Sequence, residues 1–415
     1  MEKIKSLHMK RIIGFSFILT LLTLTSFAQN NLQSINQSLR YSRYSRISLK
    51  VIPIKTGERT FKLQMMVEKI EDEANFDDYL FSYTIVNSFD QDISDENIVA
   101  LDKGMLKKDT DRHFYFEETV EIPSARDQAF VIFRATDTRQ EDEYVYHADL
   151  ISPFVAEQPS FGAYFGNDIP FDQNFLNAEK SLLFKSESSV SLYRYFYPQQ
   201  FPIPLPPMET NTPEIARETE VIDEGDLLVN VPVSFEKSGY YFIQEDTAST
   251  SGLMIKTAGK TFPKVSTWEE MVQMVAYIST RKEHETLQAA ENKKIALDQY
   301  WIRMTRDEET AKKLIKEYFR QVEFANILFT DFKEGWATDR GMVYIVMGPP
   351  QEVYFNLDKE TWVYLAQDSN SKITFTFARV KNILTPQYYT LNRTRAYQPV
   401  WFKTITAWRN GRMVF

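Results

Sequence analysis

Two hydrophobic periods divide this chain. Up to about residue 259 the apolar side chains recur at every second position, and from residue 266 onward they recur at helical spacing. Period two commits a segment to a half-buried strand, because successive strand side chains point to opposite faces. Six such segments are expected first: Ile47 to Ile54, Phe61 to Ile70, Tyr79 to Val86, Phe114 to Ile122, Phe130 to Ala135 and Tyr144 to Leu150. Polar turns separate them at the intervals of an immunoglobulin-like sandwich, placed at residues 46–152. With 415 residues the chain exceeds one ordinary core, since domains run to about 100–200 residues.

A second β-sandwich module is expected over residues 153–259. Its strands are Ser181 to Lys185, Val190 to Tyr197, Leu227 to Val233, Tyr240 to Gln244 and Gly252 to Thr257. Between them Pro202, Pro204, Pro206 and Pro207 forbid a central strand and predict a stiff, exposed connection. Residues 260–415 read as an α+β domain, helices followed by a small antiparallel sheet. Ser266 and Glu269 form a capping-box pattern, a second helix is expected from Glu285 to about Trp301, and a third starts at Thr305 to Glu308 and runs to Phe329. Ile315, Tyr318, Phe319, Val322, Ala325 and Phe329 would form its buried face. Asn326 falls beside that face and needs partners, for which the backbone of the following loop is the candidate. Strands are then expected at Val353 to Asn356, Thr361 to Leu365, Ile373 to Phe377 and Tyr388 to Leu391, and Trp401 to Trp408 reads equally as helix or strand.

The N-terminus points to export. Lys10 and Arg11 precede an apolar run from Ile12 to Leu24, and Ser26-Phe27-Ala28 has small residues at the spacing of a signal-peptidase site. Residues 1–28 are therefore expected to be a signal peptide, cleaved before Gln29, and residues 29–45 a flexible arm rich in Asn, Gln and Ser. No other apolar run reaches the length of about 20 residues that a spanning helix needs, so no transmembrane helix is expected in the mature chain. The expected address is the periplasm, the outer membrane or the medium. The chain has no Cys, which excludes disulfides, thiol catalysis and Cys-ligated metal. A net charge of −9 speaks against nucleic acid as a partner.

The densest stretch in special residues is Gly335 to Pro350, GWATDRGMVYIVMGPP. Gly335 and Gly341 are read as positions for positive φ, and Met342 to Met347 as a buried strand ended by Gly348-Pro349-Pro350. Thr338, Asp339 and Arg340 would then occupy the loop entering that strand, with Arg340 offering a planar fork to a carboxylate or phosphate. The competing structural reading has Asp339 pairing with Arg340 and Trp336 plugging the core.

Gly335-Trp336-Ala337-Thr338-Asp339, followed by Arg340-Gly341 and by Tyr344-Ile345-Val346-Met347-Gly348-x-Pro350, resembles the signature of the GWxTD-domain family of bacterial, largely Bacteroidetes, envelope proteins. The similar helix end Phe324-Ala325-Asn326 with Phe329 precedes it. The resemblance covers the last third of the chain and implies an envelope protein without implying a reaction.

Standard catalytic signatures are missing: there is no H-E-x-x-H, G-x-S-x-G, Walker loop, EF-hand loop or dinucleotide fingerprint. His113, His147 and His284 read as ordinary surface or core histidines, and neither metal nor cofactor is called for. The expected function is a non-enzymatic binding or scaffold protein of the cell envelope, whose partner is another envelope protein or a glycan. The motif with Asn326 and Glu323 is its expected interaction or structural site. The alternative is a carboxylate-dependent hydrolase of envelope glycan or peptidoglycan, with Asp339 and Glu323 as acid and base, Arg340 on an anionic group and Trp336 stacked on a sugar.

Overall fold

The alternating segments of the N-terminal part pair as two four-stranded antiparallel sheets. In chain order the strands are β1 (Ile47–Lys55), β2 (Thr60–Lys69), β3 (Tyr79–Val86), β4 (Val99–Leu101), β5 (Leu106–Asp109), β6 (His113–Glu121), β7 (Ala129–Asp137) and β8 (Glu143–Ile151). One sheet has the order β1-β2-β6-β5 and the other β4-β3-β7-β8. Leu63 and Phe116 from the first meet Phe81 and Phe133 from the second in one core. The computed structural model describes residues 30–71, 74–155, 157–198, 202–210, 221–365, 372–382 and 384–412. The expected signal peptide and its cleavage site before Gln29 lie outside the described residues.

β7 shows why this sandwich is not free-standing. Its alternation is masked because both of its faces are buried: Val131, Phe133 and Ala135 point into the sandwich, whereas Phe130 and Ile132 join a second core shared with the C-terminal helices. The opposite sheet is covered too, since Met66 and Tyr115 on its outer face pack with Ile169 of the next β unit.

That unit contains β9 (Phe161–Tyr164), β10 (Phe175–Asn177), β11 (Ser181–Ser186), β12 (Ser191–Tyr197), β13 (Asp223–Leu228), β14 (Pro232–Ser234), β15 (Gly239–Gln244) and β16 (Leu253–Ala258). They form a five-stranded sheet, β10-β16-β15-β12-β13, and a three-stranded sheet, β14-β11-β9. The single strand expected over residues 227–233 is two strands. Asn230 takes φ 62° between them, a left-handed conformation that Asn tolerates and a strand cannot contain. The proline segment is not a free surface connection: the Pro207 carbonyl accepts from the Thr394 N–H at 3.1 Å and the Leu205 carbonyl from Arg393 Nη2 at 3.1 Å.

The C-terminal part has helices α1 (Trp268–Met274), α2 (Arg281–Ala289), α3 (Lys293–Thr305), α4 (Glu308–Phe329), α5 (Asp339–Met347) and α6 (Gln398–Arg409). Its antiparallel sheet has the order β17-β18-β19-β20, with β17 (Glu352–Asn356), β18 (Lys359–Leu365), β19 (Lys372–Arg379) and β20 (Tyr389–Leu391). Caps start the first and third expected helices one or two residues later than expected and the second four residues earlier, at Arg281. Thr267 and Glu270 form the first capping box, Thr280 and Glu283 the second, and Asp307 accepts from the Thr310 N–H at 2.7 Å to start α4. The helix expected over residues 285–301 is split, because Asn292 accepts from the Ile295 N–H and starts α3 afresh. Among the described residues no helix is long and apolar enough to cross a membrane.

Two expectations are overturned here. Met342 to Met347 is the body of helix α5, not a strand. Val343, Ile345 and Val346 favour strands locally, but Thr338 caps the helix by accepting from the Gly341 N–H at 3.0 Å, and Gly348 at φ 81° ends it. All nine residues of α5 are buried, so the apolar run carries no period to read.

The arm over residues 29–45 is not flexible where it is described. Its short 3-10 turns, Leu32–Ser34 and Ser38–Tyr41, are wedged between the first sandwich and the C-terminal sheet. The Tyr41 ring packs on Phe329 and Trp362 with centroids 5.1 and 5.4 Å apart. Gln37 N–H donates to the Val353 carbonyl at 2.8 Å, and Arg43 pairs with the buried Glu317 of α4 at 2.5 Å. Apolar residues too sparse to form a core of their own are buried by joining a neighbour's.

Candidate functional site

The signature begins where α4 ends. Gly335 and Gly341 are not at positive φ; each is required for space. A Cβ on Gly335 would lie 1.9 Å from the Ala325 carbonyl oxygen, and one on Gly341 would lie 1.8 Å from the Gly335 carbonyl oxygen. The turn Gly335–Ala337 is thereby pressed against the α4 backbone, and α5 against the turn. Asn326 holds the contact as its sequence position suggests. Its Oδ1 accepts from the Trp336 N–H at 3.0 Å and its Nδ2 donates to the Pro263 carbonyl at 3.0 Å. Thr338 Oγ1 donates to the Gly335 carbonyl at 2.8 Å while capping α5.

Trp336 is buried. Its carbonyl accepts from the Tyr277 hydroxyl at 2.7 Å and its indole N–H donates to Glu334 at 2.8 Å. Neither ring face is presented for stacking on a sugar.

Asp339 and Arg340 do not pair with each other, because successive helix residues point in different directions. Asp339 accepts from Arg393 through both carboxylate oxygens, at 2.5 and 3.0 Å, and from the Leu391 N–H at 2.7 Å. Arg340 donates to Glu360, a fully buried carboxylate, at 3.1 Å and to the Gln387 carbonyl at 3.0 Å, over the rings of Tyr389 and Phe329. Burial opposes the Arg340 charge, yet Glu360 and the nearby Tyr41 and Tyr389 push its pKa up. The guanidinium is thus permanently charged and permanently matched.

The remaining signature residues also face inward. The Tyr344 hydroxyl donates to the Tyr41 carbonyl at 3.0 Å, the Gly348 carbonyl accepts from the Tyr364 hydroxyl at 2.9 Å, and Pro350 is buried. Glu323 is half-buried on α4 and makes no hydrogen bond or ion pair among the described residues, so it takes no part in the Asp339 network. The structure therefore gathers Asn326 and Gly335 to Pro350 into one closed unit and leaves Glu323 out of it. Three donors occupy most of the roughly four acceptor sites of the Asp339 carboxylate, and the residue is buried.

The histidines are likewise dispersed. His113 on β6 and His147 on β8 belong to different sheets, and among the described residues no group of three metal-ligating side chains is gathered.

An open site does exist, and its residues carried no sequence signature. A cavity of about 250 Å³ lies where the arm, both β units and the C-terminal domain meet. Arg40 of the arm, Asp149 and His147 of β8, Leu253 of β16, Asp331, Arg340 and Arg379 all line it. Arg379 is paired with Asp149 at 2.8 Å. Burial, reinforced by Arg40 and Arg379, holds His147 well below the usual imidazole range, so it is neutral, with Nδ1 at 3.3 Å from Gln37 Oε1. Burial pushes the Asp331 carboxyl up to about 6, against the pull of the Lys333 backbone N–H and of Arg340. The signal for this site is distributed over four segments that are far apart in sequence, and no local pattern marks any of them.

β-rich N-terminal units feeding a domain of packed helices and a small sheet, locked by a self-contained glycine and ion-pair motif, define a multidomain protein organised around that last domain. Residues 239–410 match the family model of the GWxTD domain, and the chain is a GWxTD-domain protein over that span. The match begins at β15, so it includes the last two strands of the second β unit rather than starting at residue 260. No curated protein matches the sequence.

Proposed function

We propose that this is a non-enzymatic, exported scaffold of a bacterial cell envelope, in which the GWxTD motif is an internal keystone and the two β units, read as immunoglobulin-like modules, present the surface that meets another envelope protein or a glycan. One observation carries the reading. Asp339, Arg340, Thr338 and Trp336 spend their polar groups on partners inside the domain, namely Arg393, Glu360, the α5 cap and Asn326. Buried ion pairs of this kind fix a geometry more than they add stability. A site built for recognition leaves such groups exposed at a rim or in a cleft. The apolar leader at residues 12–24 supports the envelope address.

The test is fractionation of native cells combined with photo-crosslinking from exposed positions such as Leu80 on β3 and Val190 before β12. The reading expects an envelope fraction, a chain that starts at Gln29, and one partner captured from these positions and not from position 344 in α5. Release of soluble fragments from purified peptidoglycan, abolished in a folded Asp339→Asn variant, would instead establish the hydrolase and end the scaffold reading.

A further inference from the structure

Among the guanidinium groups lining the three-way cavity, Arg340 is matched by Glu360 and Arg379 by Asp149. Arg40 is matched by nothing. Its guanidinium rests over the Tyr146 ring at 4.2 Å and the Phe355 ring at 5.2 Å, none of its nitrogens has an acceptor among the described residues, and Nη1 is fully buried. Lys50 on the same wall donates only to uncharged acceptors, the Asp172 carbonyl and Asn174 Oδ1. Arg40 is half-buried and only its Nη1 is shut off from water, and a buried donor left without an acceptor is costly.

The rest of the wall narrows the ligand. Ile52, Met254 and Leu328 supply apolar surface, whereas Val51 and Leu253 turn their side chains into the β cores. Asp331 adds negative charge that opposes a dianion such as phosphate more than a monoanion, the Asp149 charge being matched by Arg379. The volume of about 250 Å³ falls just below the range of about 300–1,000 Å³ typical for larger ligands. Half-buried Leu384 and exposed Pro386 stand at its edge, so the cavity has a rim.

We propose that this cavity binds a small organic monocarboxylate, with its carboxylate on the Arg40 fork and its apolar body against Ile52, Met254 and Leu328. A planar guanidinium fixed between rings is preorganised for two parallel hydrogen bonds to a carboxylate. The ligand would touch the arm, β1, β16 and the C-terminal domain at once. It therefore fastens together the units whose relative placement the scaffold maintains.

The test uses the purified full chain and isothermal titration with acetate, hexanoate and benzoate, against the neutral hexanamide and benzamide and against inorganic phosphate. The expected result is saturable one-site binding of hexanoate or benzoate, at least tenfold tighter than its amide and than phosphate. Arg40→Met, which keeps the stacked stem, lowers that affinity at least tenfold. Met254→Trp fills the cavity from the β16 side and leaves Arg40 in place, so it abolishes binding as well, which covers the case in which Arg40→Met fails to fold. Equal affinity for the carboxylates and their amides, or unchanged binding in folded Arg40→Met or Met254→Trp, overturns the proposal.

Discussion

Replacing Gly341 by Ala adds one methyl group, and the geometry says where it goes. The new Cβ would sit 1.8 Å from the Gly335 carbonyl oxygen and 2.8 Å from its carbon, whereas carbon and oxygen atoms rest at about 3.3 Å in close contact. The α5 backbone and the Gly335 turn must separate by about 1.5 Å, and neither is a flexible side chain that can swing away. That movement strains the Thr338 cap of α5 and the Thr338 bond to the Gly335 carbonyl. Overpacking costs about 1–3 kcal/mol, loss of the cap about 1 kcal/mol and the lost hydrogen bond about 1 kcal/mol. The better helix propensity of Ala returns about 1 kcal/mol, leaving a net loss of roughly 2–4 kcal/mol. All six tryptophans lie between Trp268 and Trp408, so urea unfolding followed by tryptophan emission reports this domain specifically. Gly166→Ala is the control, because a Cβ there meets nothing within 4 Å. A Gly341→Ala midpoint within about 0.5 kcal/mol of the parent, no different from a neutral surface change, would refute the keystone geometry.

Other outcomes follow from the same packing. Glu360→Gln strands the Arg340 guanidinium in a fully buried site and should cost about 3–5 kcal/mol by urea unfolding, far more than Glu323→Gln on the same domain. Tyr41→Ala removes a ring packed on Phe329 and Trp362 and should cost about 3–5 kcal/mol. It should also shift tryptophan emission to the red, where a detached arm would leave both unchanged. Asp331 binds its proton more tightly folded than unfolded, with a folded pKa of about 6 against 3.8. Its contribution is therefore present below the unfolded value and lost as pH rises through about 6. Asp331→Asn should match the parent below pH 4 and be the more stable of the two above pH 6, as read by melting temperature across that window.

The longer strands of both β units were legible because a half-buried surface writes period two into the chain, whereas β4, β5, β9 and β10, only three or four residues long, show too little of it to read. Tyr79, Phe81 and Tyr83 alternate with Leu80, Ser82 and Thr84, and β3 runs from Tyr79 to Val86 as that pattern requires. The pattern fails where a second surface is buried. α5 is apolar on every face, so its helical state was carried only by Thr338 before it and Gly348 after it. The arm failed for the opposite reason: Leu32 and Tyr41 are too far apart to show a period, both are buried in a core shared with the C-terminal domain, and the Tyr41 ring packs on Phe329 and Trp362, far downstream in the chain. Within the motif, Asn326 found the loop backbone partner it needed in the Trp336 N–H. The partners of Asp339 and Arg340 could not be read, because Arg393 and Glu360 reach them only after the sheet has formed. The cavity was invisible for the same reason, Arg40 and Asp331 being ordinary surface-type residues until three units close around them.

The account rests on the motif being spent internally, and the coupling between Asp339 and Arg393 measures that directly. Unfolding free energies of Asp339→Asn, Arg393→Gln and the double variant close a thermodynamic cycle. A bidentate, nearly buried pair predicts that the second substitution costs little once the first is made, with a coupling of at least about 1.5 kcal/mol. Losses that simply add, to within about 0.5 kcal/mol, would mean that Asp339 is free to face a ligand, and would return the motif to the role of a binding or catalytic site.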